Sequence, residues 1–155
     1  HFPGYGPNGD THTGFVTDTR SAETYKKSDF LPFQAGIDAG AGSILICHNV
    51  VSCFDSELPA SLSEKVHQVL REDIGYEGVI MTDDLAMDAI SKTYGLSQAA
   101  VLAVKAGNDL IISDDYERQI TAVITAVQDG ALPESALNDA VLRVLKWKLS
   151  LGILV

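Results

Sequence analysis

Apolar residues fall into two alternating rhythms along this chain of 155 residues. In SAETYKKSDFLPFQAGIDAG, Phe30, Phe33 and Ile37 recur at three- and four-residue intervals with Gly40 behind them, the spacing of a helix face closed by a glycine. GSILICHNV then runs apolar almost without a break, as a strand buried on both faces of a parallel sheet does, and ends in the polar His48 and Asn49. The pair repeats. In PASLSEKVHQVLREDIGY, Val66, Val69, Leu70 and Ile74 keep helical spacing, Ser61 or Ser63 can cap the start, and Gly75 closes the end. EGVIMTDD is the next strand, GLSQAAVLAVKAG a third helix, NDLIISDD a third buried strand and DYERQITAVITAVQDG a fourth helix. PESALNDAVLRVLKWKLSLGIL is the last, amphipathic helix, with Pro133 in its first turn.

Strand and helix alternating every roughly 30 residues predict right-handed βαβ units and a parallel sheet. The expected class is α/β, with three parallel strands and flanking helices. Each strand runs into polar residues at its C-terminal end, giving CHN, TDD and SDD, the rim where such sheets and barrels keep their chemistry. No Gly-rich turn of the GxGxxG or GxxxxGKS kind supports a nucleotide-binding sheet. Three strands are less than half of a (β/α)8 barrel of about 250 residues. Residues 1–155 are therefore expected to form one partial domain, the second half of a TIM-like barrel whose N-terminal half is absent from the chain; a motif at residue 1 with no initiator Met agrees with that.

Charge narrows the partners. Lys and Arg total 11 against 21 Asp and Glu, and the net charge of -10 disfavours nucleic acid or anionic lipid. No apolar run approaches the ~20 residues of a membrane-spanning helix. Cys47 and Cys53, without CxxC pairs of zinc spacing, are expected as free thiols.

Three places can carry chemistry. Asp10 and His12 in the opening HFPGYGPNGDTHTG are either a dyad, the carboxylate fixing the imidazole tautomer and raising its basicity, or a turn cap beside a solvated ring. Asp83 and Asp84 end a buried strand, where neighbours face opposite ways; one is expected to enter the site, as nucleophile or metal ligand, and the other to turn outward or cap the next segment. His48 either hydrogen-bonds a sugar hydroxyl or satisfies a loop carbonyl. His67, within a charged helix, is expected to face solvent, Asp114 or Asp115 to serve at a helix start, and Trp147 to pack. A metal-dependent hydrolase would draw on His1, His12, Asp83 and Asp84.

Taken in order, HFPGYG…DTH, LPF..GIDAGA, SILICHNV, LPASLS, GVIMTDDLAMDAI and AVKAGNDLII resemble glycoside hydrolase family 3, most closely its β-N-acetylglucosaminidase branch. The resemblance implies a retaining β-N-acetylhexosaminidase acting on terminal β-N-acetylglucosaminides such as peptidoglycan fragments, with a β-glucosidase of the same family as the alternative. It implies Asp83 as nucleophile, His12 as general acid/base, Asp10 as the partner that orients His12, and His1 and His48 as substrate-binding residues, with no cofactor. It also implies a carbohydrate substrate and a need for the missing barrel half or a second copy of the chain, the isolated piece being inactive or a non-catalytic oligomer. The chain departs from the branch in a loop one residue shorter and in Tyr5, where His is frequent.

Overall fold

The computed structural model describes residues 1–7, 9–12 and 14–154. In chain order these form β1 (Thr17–Asp18), α1 (Ala22–Thr24), α2 (Phe30–Asp38), β2 (Ser43–Ile46), β3 (Val50–Val51) and α3 (Glu64–Gln68). Beyond them lie β4 (Val79–Thr82), α4 (Asp88–Tyr94), α5 (Leu96–Ala106), α6 (Tyr116–Gln128) and α7 (Glu134–Ser150). Single π turns at Tyr25–Asp29 and Val69–Asp73 join α1 to α2 and prolong α3. The class is α/β, mostly helical with short parallel strands.

Phe2 starts the sheet. Its ring is fully buried, stacked on Phe30 at 5.4 Å and edge-on to Phe33 at 5.1 Å, a burial that contributes roughly 1.5–3 kcal/mol. Held there, its N–H donates to the Leu45 carbonyl (2.8 Å) and its carbonyl accepts from Cys47 N–H (2.9 Å), a parallel bridge beside β2. β2 pairs in parallel with β4, Ser43 opposite Val79 through Ile46 opposite Thr82. Ile44, Ile46 and Ile80 point into a core shared with Phe30, Val66 and Leu70, whereas Leu45 and Met81, opposite one another on the other face, are only half-buried.

The expected third strand is reduced to a bridge at Leu110, parallel to Met81. Pairing continues on either side of it, from Leu110 N–H to the Ile80 carbonyl (3.1 Å) and from Leu85 N–H to the Ile112 carbonyl (3.0 Å). Between them Ile112 N–H donates to the Thr82 hydroxyl (3.0 Å) in place of a carbonyl, which interrupts the ladder. The expectation of three full strands is corrected accordingly. Phe2, β2, β4 and Leu110 nevertheless lie side by side in chain order, all parallel. A second small parallel pair, β1 with β3, was not anticipated.

Ser63 caps α3 by accepting Val66 N–H (3.3 Å), which frees the buried Ser61 for another bond. Gly40, at φ +88° behind α2, closes that helix as its position promised. His67 does not face solvent. It is 2% exposed, bonded through Nδ1 to the Ser63 carbonyl (2.8 Å) and covered by Gly107 at the end of α5, because α3 packs against α5 on the side the charge pattern suggested was open.

At the N-terminal ends of the strands the Asp109 side chain, 1% exposed, accepts from Arg71 (2.7 Å), Arg143 (2.9 Å) and Ile80 N–H (2.9 Å), tying α7 and the turn after α3 to β4. Trp147 packs against Gly42, where a side chain would have no room. Among the described residues no helix is long and apolar enough to cross a membrane.

Candidate active site

The polar C-terminal ends of β2 and β4 meet the opening loop on one rim. Asp83 N–H donates to the Ile46 carbonyl (2.9 Å), extending the strand pairing by one residue and fixing the backbone there. Its Oδ1 accepts Asp84 N–H (2.9 Å), and Oδ2 lies 3.5 Å from Nε2 of His1; the side chain is 16% exposed. Asp84 turns away, its Oδ1 accepting Ala86 N–H (2.9 Å) to cap the next turn. Strand alternation thus separates the two carboxylates, one toward His1 and one into the backbone.

His48 is fully buried and both of its ring nitrogens are used inside the protein. Nε2 lies 2.9 Å from the Asp84 carbonyl, which can only accept, so Nε2 carries the proton and Nδ1 (2.7 Å) accepts from the Ser61 hydroxyl. Of the two uses open to this histidine, the geometry displays the loop-carbonyl bond. Burial keeps its pKa below the ordinary histidine range and the ring neutral. The Ser61–His48–Asp84 chain holds the peptide next to Asp83. Below it, burial pushes the Cys47 thiol up to about 11, which leaves it inert, and both cysteines are free thiols.

The opening loop carries the other groups. Asp10 Oδ1 lies 2.6 Å from Nδ1 of His12 and also accepts the His12 backbone N–H (2.9 Å). Both side chains are exposed, 65% and 72%. The backbone bond first, then the ring bond, holds the Asp10 carboxyl below the usual carboxylate range; the hydrogen bond and charge of Asp10 raise His12, with a smaller contribution from the charge of Asp83. With Nδ1–H directed at Asp10, Nε2 of His12 is the nitrogen that exchanges a proton. The imidazole touching Asp83 is that of His1; among the described residues no ion pair joins His12 to Asp83. Nor do any three described His, Cys, Asp or Glu side chains group to hold a metal ion, so His1, His12, Asp83 and Asp84 do not form a shared ligand set.

Sequence reasoning missed the support beneath this loop. Arg20 bonds Asp18 through Nε (2.9 Å to Oδ2) and grips both oxygens of Asp29 (2.9 Å each), with its guanidinium 4.5 Å from the centre of the Tyr25 ring. Gly4 (φ +123°) and Gly6 (φ +58°) rest on it: a Cβ on Gly6 would stand 2.6 Å from the Arg20 guanidinium carbon, and one on Gly4 2.5 Å from Asp29 Oδ1. The available signal was the charge pair Asp18 and Arg20 directly after a glycine-rich loop, which in sequence looks like any solvated surface.

Comparison with known proteins matches residues 1–147 to the Glycosyl hydrolase family 3 N terminal domain. The beta-hexosaminidase of Xanthomonas axonopodis pv. citri is 34% identical over 150 residues, which are 95% of this chain and 44% of that protein. The structure of a glycoside hydrolase family 3 beta-N-acetylglucosaminidase from Paenibacillus sp. superposes with a TM-score of 0.91 at 36% identity, covering 96% of this chain and 30% of that one. The beta-N-acetylglucosaminidase from Thermotoga maritima gives a TM-score of 0.85 at 28% identity, over 95% of this chain and 33% of that one. The chain spans less than half the length of the curated relatives it matches.

Proposed function

The chain belongs to glycosyl hydrolase family 3, and we propose that it carries the reacting groups of a retaining β-N-acetylhexosaminidase that removes terminal β-N-acetylglucosamine from peptidoglycan fragments or related glycans. The observation that carries this reading is one short loop with a carboxylate-bonded imidazole, His12 on Asp10 at 2.6 Å, near one end and an imidazole beside the strand-end carboxylate Asp83 at the other. Two relatives named for N-acetylglucosaminidase activity support the substrate class.

A retaining glycosidase needs a proton donor and a carboxylate about 5 Å apart across the bond to be cut. In the first step an Asp83 oxygen bonds to the anomeric carbon while the bond to the leaving group breaks; its electron pair stays on the glycosidic oxygen, which takes the proton from His12 Nε2. In the second, His12 takes a proton from water as the water oxygen displaces Asp83 and frees the sugar. Asp10 keeps His12 in the productive tautomer, and His1 binds sugar hydroxyls beside Asp83. His48 acts through the Asp84 carbonyl, holding the nucleophile's backbone. Because His12 is exposed and unpaired with Asp83 at rest, the dyad swings in toward bound substrate about the buried Thr11 that separates Asp10 from His12.

We assign the reaction to a complete barrel in which this chain supplies the C-terminal half. The half-buried Leu45–Met81 face and the exposed Ile120 and Ile124 of α6 support that assignment, since a covered barrel would bury them. The chain alone is then inactive, its open strand edge covered by the complementary half, or by a second copy in a non-catalytic oligomer.

Release of nitrophenol from 4-nitrophenyl β-N-acetylglucosaminide by the complete barrel tests the reading. The first step needs protonated His12, so kcat/KM falls as pH rises through the pKa of that ring. Asp10 raises that pKa; Asp10→Asn therefore moves the alkaline limb to lower pH, besides lowering the rate. An alkaline limb that stays in place would remove His12 from the acid's role, and cleavage of the β-glucoside alone would move the substrate to the glucosidase class.

A further inference from the structure

Tyr5 touches both ends of the loop that carries the dyad. Its ring lies edge-on to His1, with centroids 5.4 Å apart and planes at 82°, and its hydroxyl is 2.5 Å from Oγ1 of Thr11. Thr11 is fully buried although Asp10 and His12 on either side of it are exposed. The Tyr5 ring packs against the main core, and the glycines flanking it sit on Arg20 and Asp29 with no room for a Cβ. The phenol is thus a fixed post, and Thr11 is the point at which the exposed dyad is tied to it. Burial above all keeps the phenol pKa raised, so the hydroxyl stays a hydrogen-bonding group through the neutral range.

We infer that Tyr5 is a positioning residue for the proposed reaction: its hydroxyl bond to Thr11 fixes the peptide between Asp10 and His12 and so sets where His12 stands relative to Asp83. The inference rests on the reading of His12 as acid and base, and extends it to a residue in which this chain departs from the branch it resembles. A glycine-rich loop without that bond samples more positions, and a misplacement of about 1 Å in a reacting group costs up to roughly 100-fold in rate. The bond does not touch the sugar, so the loss falls on turnover and not on ground-state binding.

Tyr5→Phe keeps the ring and removes only the hydroxyl; Thr11→Val removes the other partner. In the complete barrel, with 4-nitrophenyl β-N-acetylglucosaminide, each lowers kcat about tenfold with KM changed by less than about twofold. The alkaline limb stays in place because the Asp10–His12 bond is intact. The double variant loses no more than either single one, since both remove the same bond, and Thr11→Ser recovers most of the turnover lost in Thr11→Val. Wild-type kcat in Tyr5→Phe, or losses that multiply in the double variant, would overturn the inference; if the wild type cleaves and Asp83→Asn does not, that result leaves the glycosidase reading standing. Amide exchange at Thr11 and His12 supplies a readout without substrate. It quickens about tenfold in Tyr5→Phe if the bond restrains the loop, and unchanged exchange rejects the role even in a protein that turns nothing over.

Discussion

Asp83→Asn in a complete barrel leaves less than about a thousandth of the wild-type kcat, the largest effect expected of any single substitution. Asn has the shape of Asp and keeps an oxygen to accept Asp84 N–H and a polar group toward His1, so the rim stays assembled. What is lost, on the proposed mechanism, is the negative oxygen that bonds to the anomeric carbon. Substrate binding through His1 is expected to persist, so that KM changes far less than kcat. The neighbouring carboxylate gives the contrast: Asp84 is spent on Ala86 N–H and its carbonyl on His48. Initial rates with the nitrophenyl substrate decide it, and an Asp83→Asn protein with more than about a tenth of wild-type turnover would take the nucleophile's role from this residue.

Asp109→Ala has the largest expected effect on stability. The Asp109 carboxylate is almost wholly inaccessible and compensates two guanidinium groups while accepting Ile80 N–H. Removing it strands Arg71, which burial already pushes below its ordinary pKa, and leaves a strand N–H without its partner. Breaking a buried pair from one side costs about 3–5 kcal/mol. Arg143 is more than a third exposed and Arg71 keeps its bonds to the Tyr76 and Gly78 carbonyls, so the lower end, about 3 kcal/mol, is expected. Urea unfolding of the complete barrel reads it as a lowered midpoint with an unchanged slope. A midpoint within error of wild type would mean that the cluster is no staple.

The strands and their polar ends were legible because unbroken apolar runs ending in His48 and Asn49, or in Asp83 and Asp84, have few other structural meanings. Strand alternation alone predicted that Asp83 and Asp84 face different ways, and the resemblance, not the alternation, said which of them enters the site. Other features depend on partners that sequence distance hides. His48 finds Ser61 thirteen positions on and the Asp84 carbonyl thirty-six positions on. His67 looked solvent-facing because its neighbours are charged, yet α5 covers it. The third strand looked as regular as the first two until the Thr82 hydroxyl took the N–H of Ile112. Arg20 was the least visible, a surface-looking cation that acquires meaning only when Gly4 and Gly6 are seen against it; Tyr5 stood out in sequence as a departure from the resembled branch, but its bond to Thr11 did not.

The measurement that bears most directly on the central claim is to trap the intermediate. A 5-fluoro-N-acetylglucosaminyl fluoride, which slows release of the sugar from the enzyme, is incubated with the complete barrel, and the labelled peptide is identified by mass spectrometry. One sugar per protein is expected, esterified to Asp83 within GVIMTDDLAMDAI and absent from Asp83→Asn. A label on any other carboxylate, or turnover by an active protein that never accumulates a label, would contradict it.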